Sequence, residues 1–264
     1  MPVPQTTIPP EAPSEAPPDL APHAVLPQYY GMAEARAGFV RRLFDDTAAH
    51  YDRINRVFSL GTGAWYRRQA LRRAGLRPGD RVLDVATGTG LVAREAARLA
   101  GAGGRVTGLD PSAGMLAAAR RELPIGLVQG RAEALPLADA SADFLSMGYA
   151  LRHVADLGIA FAEYRRVLRP GGRLLLLEIG RPEGRLGRAL ARAYLGRVVP
   201  ALCRLTAPRG RDDLLMRYYW DTIEACVPAE TILARLRAAG FEAVACETSL
   251  GLFKAYTARR PEAG

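Results

Sequence analysis

From Ala33 onward, apolar residues recur at spacings of three and four: Phe39, Val40, Leu43 and Phe44, then Tyr51, Ile54, Val57 and Phe58. That period puts one apolar stripe on each of two successive helices and predicts a helical region over residues 33–75. Between residues 76 and 180 the pattern changes. Short apolar runs predict strands at 81–86, 105–109, 126–129, 143–147 and 173–179, with helical segments at 91–99, 113–121 and 159–168. Strands alternating with helices, several of them apolar without interruption, predict an α/β fold with a mostly parallel sheet covered on both faces. A basic insertion over 181–228 follows. The chain closes with a helix at 229–239 and strand-like runs at 242–246 and 252–257, so that residues 229–264 complete the sheet.

The first 32 residues break this order. They are rich in proline and poor in large apolar side chains, which cannot offset the entropy of ordering, and they predict a disordered tail. His23 lies in that tail and is given no role.

The chain has 264 residues, 49% hydrophobic and 24% charged, the balance of a soluble globular enzyme with one α/β domain and its appendages. A formal charge of +9 favours acidic partners, although a coding bias toward arginine and alanine produces the same excess. Cys203, Cys226 and Cys246 are odd in number and far apart, which argues against a disulfide framework or a zinc site and fits a reducing cytoplasm. No metal site is expected. No apolar run approaches the length of a membrane span, and the N-terminus lacks the pattern of a secretory signal.

Candidate chemistry begins at VLDVATGTGLVAREAA, residues 82–97: an apolar strand, a glycine-rich turn and a helix. Gly88-x-Gly90-x-x-Ala93, with Asp110 about twenty residues on, satisfies the spacing of a dinucleotide site as well as that of an S-adenosylmethionine (SAM) site. Asp84 separates the two. A carboxylate at the strand end repels a pyrophosphate but attracts the ammonium and sulfonium of SAM. Asp110 then accepts from ribose hydroxyls, while the loop Thr87-Gly88-Thr89-Gly90 lets backbone approach the methionine part. Pro111, Met115 and Gly148 complete the contacts expected nearby.

The stretches VLDVATGTG, GLDPSAGMLAAAR, GRAEALPLADASADFLSMGYALRHV and EYRRVLRPGGRLLLLEIGRP resemble class I SAM-dependent methyltransferases with a Rossmann-like fold. More narrowly they resemble the ubiquinone/menaquinone biosynthesis C-methyltransferases, and FDDTAAHYDRINRVFSLGTGAWYRR is similar to that family's N-terminal helical region. The resemblance implies SAM as methyl donor, with S-adenosylhomocysteine (SAH) as product and no metal. It also implies contacts from Thr89 and Asp110, and Tyr51 over the methionine end. Residues 130–136 match the adenine loop, but Arg131 stands where the family has Asp or Asn. A guanidinium only donates. Either Arg131 turns outward and leaves the backbone of Ala132 to read adenine, or it stacks on the ring.

The implied reaction is C-methylation of a hydrophobic phenolic or quinol ring through its phenolate. In Leu151-Arg152-His153-Val154, Arg152 matches an arginine that would hold the phenolate. His153 replaces an asparagine and is expected as general base, or else to position the acceptor or shape the loop. His50 is a weaker second candidate. An O- or N-methyltransferase of another lipid or natural product is the nearest rival, and a non-catalytic SAM-binding partner is a rival of another class.

Residues 181–211 carry eight arginines against Glu183 alone. Arg185, Arg188 and Arg192 share one helical side, and Leu186, Leu190, Ala193, Tyr194 and Val198 form an apolar stripe. Such a helix suits the surface of an anionic membrane, at the inner face of which the enzyme would be peripheral, or a lid packed on the domain. Nucleic acid is not expected, because aromatic residues do not interleave the basic ones. A homodimer is compatible with all of this.

Overall fold

The computed structural model describes residues 21–182, 184–194, 198 and 212–263. Seven strands form one sheet: β1 (Arg81–Val85), β2 (Arg105–Asp110), β3 (Gly126–Gln129), β4 (Ala142–Gly148), β5 (Leu168–Ile179), β6 (Glu242–Ser249) and β7 (Phe253–Arg259). Their order is β3-β2-β1-β4-β5-β7-β6. β1 to β5 run parallel, and β7 enters antiparallel between β5 and β6. The central strand β1 is buried from Val82 to Val85, as a strand covered on both faces must be.

Ten helices accompany the sheet among the described residues: α1 (Pro27–Tyr30), α2 (Arg36–Thr47), α3 (Tyr51–Phe58), α4 (Gly63–Arg73), α5 (Leu91–Ala100), α6 (Ala113–Glu122), α7 (Leu157–Val167), α8 (Arg185–Ala193), α9 (Asp212–Ala225) and α10 (Ala229–Ala238). Local chemistry sets several of their starts. The Ser112 hydroxyl accepts from the Met115 amide to cap α6, and the Asp156 carboxylate accepts from the Ile159 amide to cap α7. One core packs α7 and α10 on the sheet through Phe161, Tyr164 and Leu236. A second packs α4 and α5 on the other face through Leu71, Ala96 and Phe144. The third joins the N-terminal helices to α9 through Val40, Leu43, Ile54, Leu215 and Tyr218, and reaches Tyr149 and Ile179 at the carboxyl ends of β4 and β5. That end of a parallel sheet is where ligands bind in folds of this kind.

Two expectations shift. β5 begins at Leu168 rather than near residue 173, because Leu168 already pairs with Ala142 before a register irregularity. More consequentially, residues 21–32 are packed rather than part of a free tail. His23 is buried, the Val227 amide donates to the Pro22 carbonyl, and the Tyr29 hydroxyl donates to Asp221. Tyr29 also sets its ring edge-on to Tyr218. Leu26, Tyr29 and Tyr30, at the end of the proline-rich stretch, supply the apolar surface that orders it. Residues 1–20, Cys203 and the part of the basic insertion from residue 199 to 211 lie outside the described residues, whereas Arg185, Arg188 and Arg192 fall on α8 as the spacing predicts. Among the described residues no group of His, Cys, Asp and Glu is arranged to hold a metal, and no helix is long and apolar enough to cross a membrane.

Candidate active site

The loop after β1 turns sharply at Ala86 and Gly88, with φ of 52° and 58°. A Cβ at Gly88 would meet no heavy atom within 4 Å, so its backbone faces open space. That space is a cavity of about 630 Å³, within the range that encloses a ligand of SAM's size. Asp110, at the end of β2, borders it. Its Oδ2 accepts from the Gly88 amide and its Oδ1 from the Ser112 amide, each at 2.8 Å. A carboxylate retains further lone pairs for a ligand hydroxyl. Burial raises the Asp110 pKa to about 6. Pro111, Met115, Ala132, Gly148, Tyr51 and His153 line the same cavity.

Arg131 also borders this cavity, but its side chain is 55% exposed and reaches Glu133 at 3.4 Å. Of the two sequence alternatives, this is the outward one, with the Ala132 backbone at the wall.

Four expected cofactor contacts are not on the wall. Asp84 is 1% exposed and lies beneath the loop, opposite Gly108 and Ser146 in the sheet register. Its Oδ1 accepts from the Ser146 hydroxyl at 2.6 Å and its Oδ2 from the Thr87 hydroxyl at 2.7 Å. Asp84 and Thr87 thus brace the loop from below. Burial lifts the Asp84 pKa to about 6, against the pull of those hydroxyls and of Arg67. The Thr89 hydroxyl donates to Asp52 and ties the loop to α3. Gly90 holds φ of 87°, a left-handed conformation that favours glycine, and a Cβ there would also push against the Leu123 side chain.

A second cavity of about 440 Å³ opens beside the first, and the two share Tyr51 and Tyr149 as walls. Tyr149 holds φ of 60°, a region an aromatic residue seldom occupies, and its amide donates to the Leu177 carbonyl at 2.7 Å. Tyr51 is fixed by a 2.8 Å hydrogen bond between its hydroxyl and that of Tyr219. Ile54, Tyr66, Ile179, Met216 and Phe253 give the second cavity apolar walls.

Two buried arginines line those walls as well. Arg152 is 1% exposed; its Nη1 donates to Glu178 Oε2 at 2.7 Å and to the Tyr149 carbonyl at 2.8 Å, and its Nε donates to Thr222. Its guanidinium lies 4.8 Å from the centre of the Tyr219 ring. Arg67, on α4, has its guanidinium 5.6 Å from the centre of the Tyr149 ring. Arg152 Nη2 and Arg67 Nε have no hydrogen-bond partner among the described residues. Buried donors of this kind are costly unless something accepts from them.

His153 faces the first cavity and not the second. Its ring stacks at 5.4 Å on Tyr218 and at 6.2 Å on Tyr219, with Phe44 edge-on. Its Nδ1 is 3.4 Å from the Tyr218 hydroxyl, and its Nε2 has no partner among the described residues. Burial, then the charges of Arg152 and Arg36, hold its proton affinity well below the usual imidazole range. His50 is exposed in the turn between α2 and α3 and borders neither cavity.

Sequence reasoning passed over Arg67, Tyr149, Asp52 and the His23–Arg36 pair. Arg36 Nη2 donates to the Arg152 carbonyl at 2.6 Å and meets His23 Nε2 at 2.9 Å, so the packed N-terminal segment holds the LRHV turn in place. Tyr149 lies inside the conspicuous GYALRHV run, where its neighbours drew the attention.

Residues 31–256 match the ubiE/COQ5 methyltransferase family. The chain belongs to that family. It is 36% identical over 208 residues to the ubiquinone/menaquinone biosynthesis C-methyltransferase UbiE of Hahella chejuensis, covering 76% of this chain and 82% of that protein. It is 37% identical to the demethylmenaquinone methyltransferase of Mycobacterium sp. strain KMS, over 78% and 86% of the two chains. Among solved structures, a SAM-dependent methyltransferase of Thermotoga maritima aligns with a TM-score of 0.59 at 22% identity, over 83% of this chain and 99% of that one, a likeness of fold. This family member is therefore a SAM-dependent methyltransferase with a Rossmann-like fold. The first cavity fits that cofactor: a hydroxyl-accepting carboxylate in Asp110 and an open backbone at Gly88.

Proposed function

We propose that this methyltransferase transfers a methyl group to a ring carbon of a membrane quinol or a closely related phenol, bound in the second cavity. The two curated relatives, named for ubiquinone/menaquinone and demethylmenaquinone methylation, support the acceptor class. The observation that carries the reading is the apolar second cavity, lined by the buried Arg152 and Arg67 and sharing Tyr51 and Tyr149 as walls with the cofactor cavity. Apolar walls suit a substituted ring. The guanidiniums of Arg152 and Arg67 supply the positive charge that suits its oxygens.

Bound SAM supplies an electrophilic methyl group on a sulfonium. The chain's own part is to make the ring nucleophilic and hold it in line. Two guanidiniums at the cavity wall favour the phenolate over the phenol, whose proton passes to solvent at the cavity mouth, and this raises electron density at the ortho carbon; once methylated, that carbon would give up its ring proton to solvent as aromaticity returns. The Glu178 carboxylate fixes Arg152 for that task through a 2.7 Å contact. Burial pushes Tyr149 and Tyr219 well above the ordinary phenol range, which suits them as walls and hydrogen-bond donors rather than proton acceptors. His153, expected as the base, is more suited to shaping the wall of the cofactor cavity, because burial, and then Arg152 and Arg36, oppose a positive charge on it. In this reading the enzyme works at the membrane surface that holds its acceptor, as a peripheral protein.

Incubation with SAM and a short-tailed demethylated quinol, followed by mass spectrometry and NMR of the product, should show one new methyl group on a ring carbon. Arg67→Gln should lower kcat/KM by about 10- to 100-fold, the loss of one charge-assisted hydrogen bond, while SAH binding stays intact. Methylation at oxygen only, or no methylated quinol at all, would sink this reading.

A further inference from the structure

Among the described residues seven large apolar side chains stand exposed; two of them line the mouth of the second cavity and a third stands in an adjoining turn. Trp65 is 61% exposed and Leu250 91%, and both line that mouth. Leu60, 74% exposed, stands in the turn whose Ser59 and Thr62 line it too. Leu60 and Leu250 hold φ of 48° and 53° at turn tips. Glycine, asparagine or aspartate would fill such positions without strain and without putting hydrocarbon in water. Leucine at both tips therefore costs the free protein twice, in backbone strain and in exposed apolar area, with no packing in return.

The ground around these tips is cationic. Residues 51–73 hold six arginines and one acid, Asp52, which is engaged with Thr89; Arg67 is buried, and Arg68 and Arg73 pair with Glu95 and Glu247. Arg56 and Arg72 are exposed on α3 and α4. Apolar tips on a cationic base match the interface of an anionic bilayer, where the tips enter the acyl boundary and the arginines meet the headgroups. The apolar lining of the cavity also continues outward from Ile54 and Phe253 to Trp65 and Leu250. A cavity of about 440 Å³ encloses a ring but not a long hydrocarbon tail, which must leave through this mouth.

We infer that Leu60, Trp65 and Leu250 are a docking rim that seats the mouth of the acceptor cavity on an anionic lipid surface. This deepens the proposed function and rests on its acceptor being lipid-borne, but the docking is measured without any acceptor. The rim is then an anchor distinct from the basic helix α8. Arg192 of α8 is engaged by the protein itself, pairing with Glu224 at 2.8 Å and lying over the Trp220 ring.

The test uses the full chain with vesicles of phosphatidylcholine alone or mixed with phosphatidylglycerol. Co-sedimentation should require the anionic lipid and weaken with salt. Trp65 fluorescence should shift to the blue and be quenched by brominated acyl chains, a signal absent in Trp65→Phe, since Trp220 is buried. Leu60→Ser, Trp65→Ser and Leu250→Ser should each weaken the partition by about tenfold, the transfer free energy of one large apolar side chain. SAH binding by calorimetry checks that each variant is folded, and the single changes are read even where their combination is not. Vesicle binding unchanged in all three folded variants would overturn the inference. So would an elution volume in lipid-free buffer that moves from dimer to monomer in these variants with vesicle binding intact, because the rim would then join two copies of the chain. Quinol methylation failing while vesicles still bind would leave the rim standing and remove only the acceptor.

Discussion

His153 shows how much a single ring is set by its surroundings. It is stacked between two tyrosines and an edge-on phenylalanine, with Arg152 next to it in the chain and Arg36 close by. Taking up a proton would put a third positive charge there. If the ring shapes the wall, His153→Asn should keep turnover within about threefold, with the pH profile unmoved. His153→Ala should lose about tenfold through the opened stack. A base would behave otherwise: both changes would cost on the order of a hundredfold or more and remove the acidic limb of the kcat profile. The sequence marked His153 and Arg152, and the structure places each at a cavity wall. The sequence could not show that neighbours in the chain face different cavities, because that depends on the short 3₁₀ turn at Leu151–His153. Arg67 escaped for a related reason. One arginine in GAWYRRQALRR looks like the next until Gly63 leaves room for it: a Cβ at Gly63 would stand 2.8 Å from Arg67 Nη1.

At the scale of elements, the strands and core helices were legible because each is a long apolar run with its own period, bounded by glycine, proline or a capping residue. The segment before α2 was not, since a few aromatic residues at the end of a proline-rich stretch carry no period. That segment has a measurable effect through His23. Its Nδ1 is 2.7 Å from the Ala24 carbonyl and its Nε2 meets Arg36, an arrangement that needs the neutral ring. Burial and Arg36 lower its pKa from 6.5 to about 4. The folded state therefore binds fewer protons than the unfolded chain between those values. The contribution of His23 to stability is complete above about pH 6.5 and is lost as pH falls toward 4. His23→Ala should lower Tm at pH 7.5 by roughly 2–8 °C, as expected for one buried hydrogen bond left open. It should also weaken SAH binding, because α2 lines the cofactor cavity. His23→Gln, which keeps an acceptor for Arg36, should restore most of both. Differential scanning fluorimetry across pH 5 to 8 and calorimetry would check this, and an unchanged Tm for His23→Ala would remove the role.

For the molecule as a whole, two buried carboxylates act in the opposite sense. Asp84 and Asp110 have pKa values raised from 3.8 to about 6 by burial. Their contribution to stability is complete below about pH 3.8 and is lost as pH rises through about 6, where both ionise inside the protein. The cofactor-free enzyme at neutral pH thus holds negative charge under its glycine loop at a cost, and a cationic ligand offsets it. Asp84→Asn should gain stability relative to the parent as pH rises from 4 to 7, by roughly 2–4 °C in Tm at the upper end, while binding SAM more weakly. A Tm difference that stays flat with pH would show that Asp84 is already ionised without penalty.

The two cavities have separate rims. Ala33, Glu34, Arg41 and Arg131 are exposed at one, and Thr62, Trp65, Arg73 and Leu250 at the other; among the described residues Tyr51 and Tyr149 alone wall both. Neither ligand has to cross the other's entrance. With the rim docked as inferred above, binding of SAM and acceptor should show no compulsory order, and spent SAH should leave for water while the opposite door stays on the lipid. Initial-rate kinetics on vesicles test this: a strictly ordered pattern, or turnover that requires release from the vesicle, would contradict it.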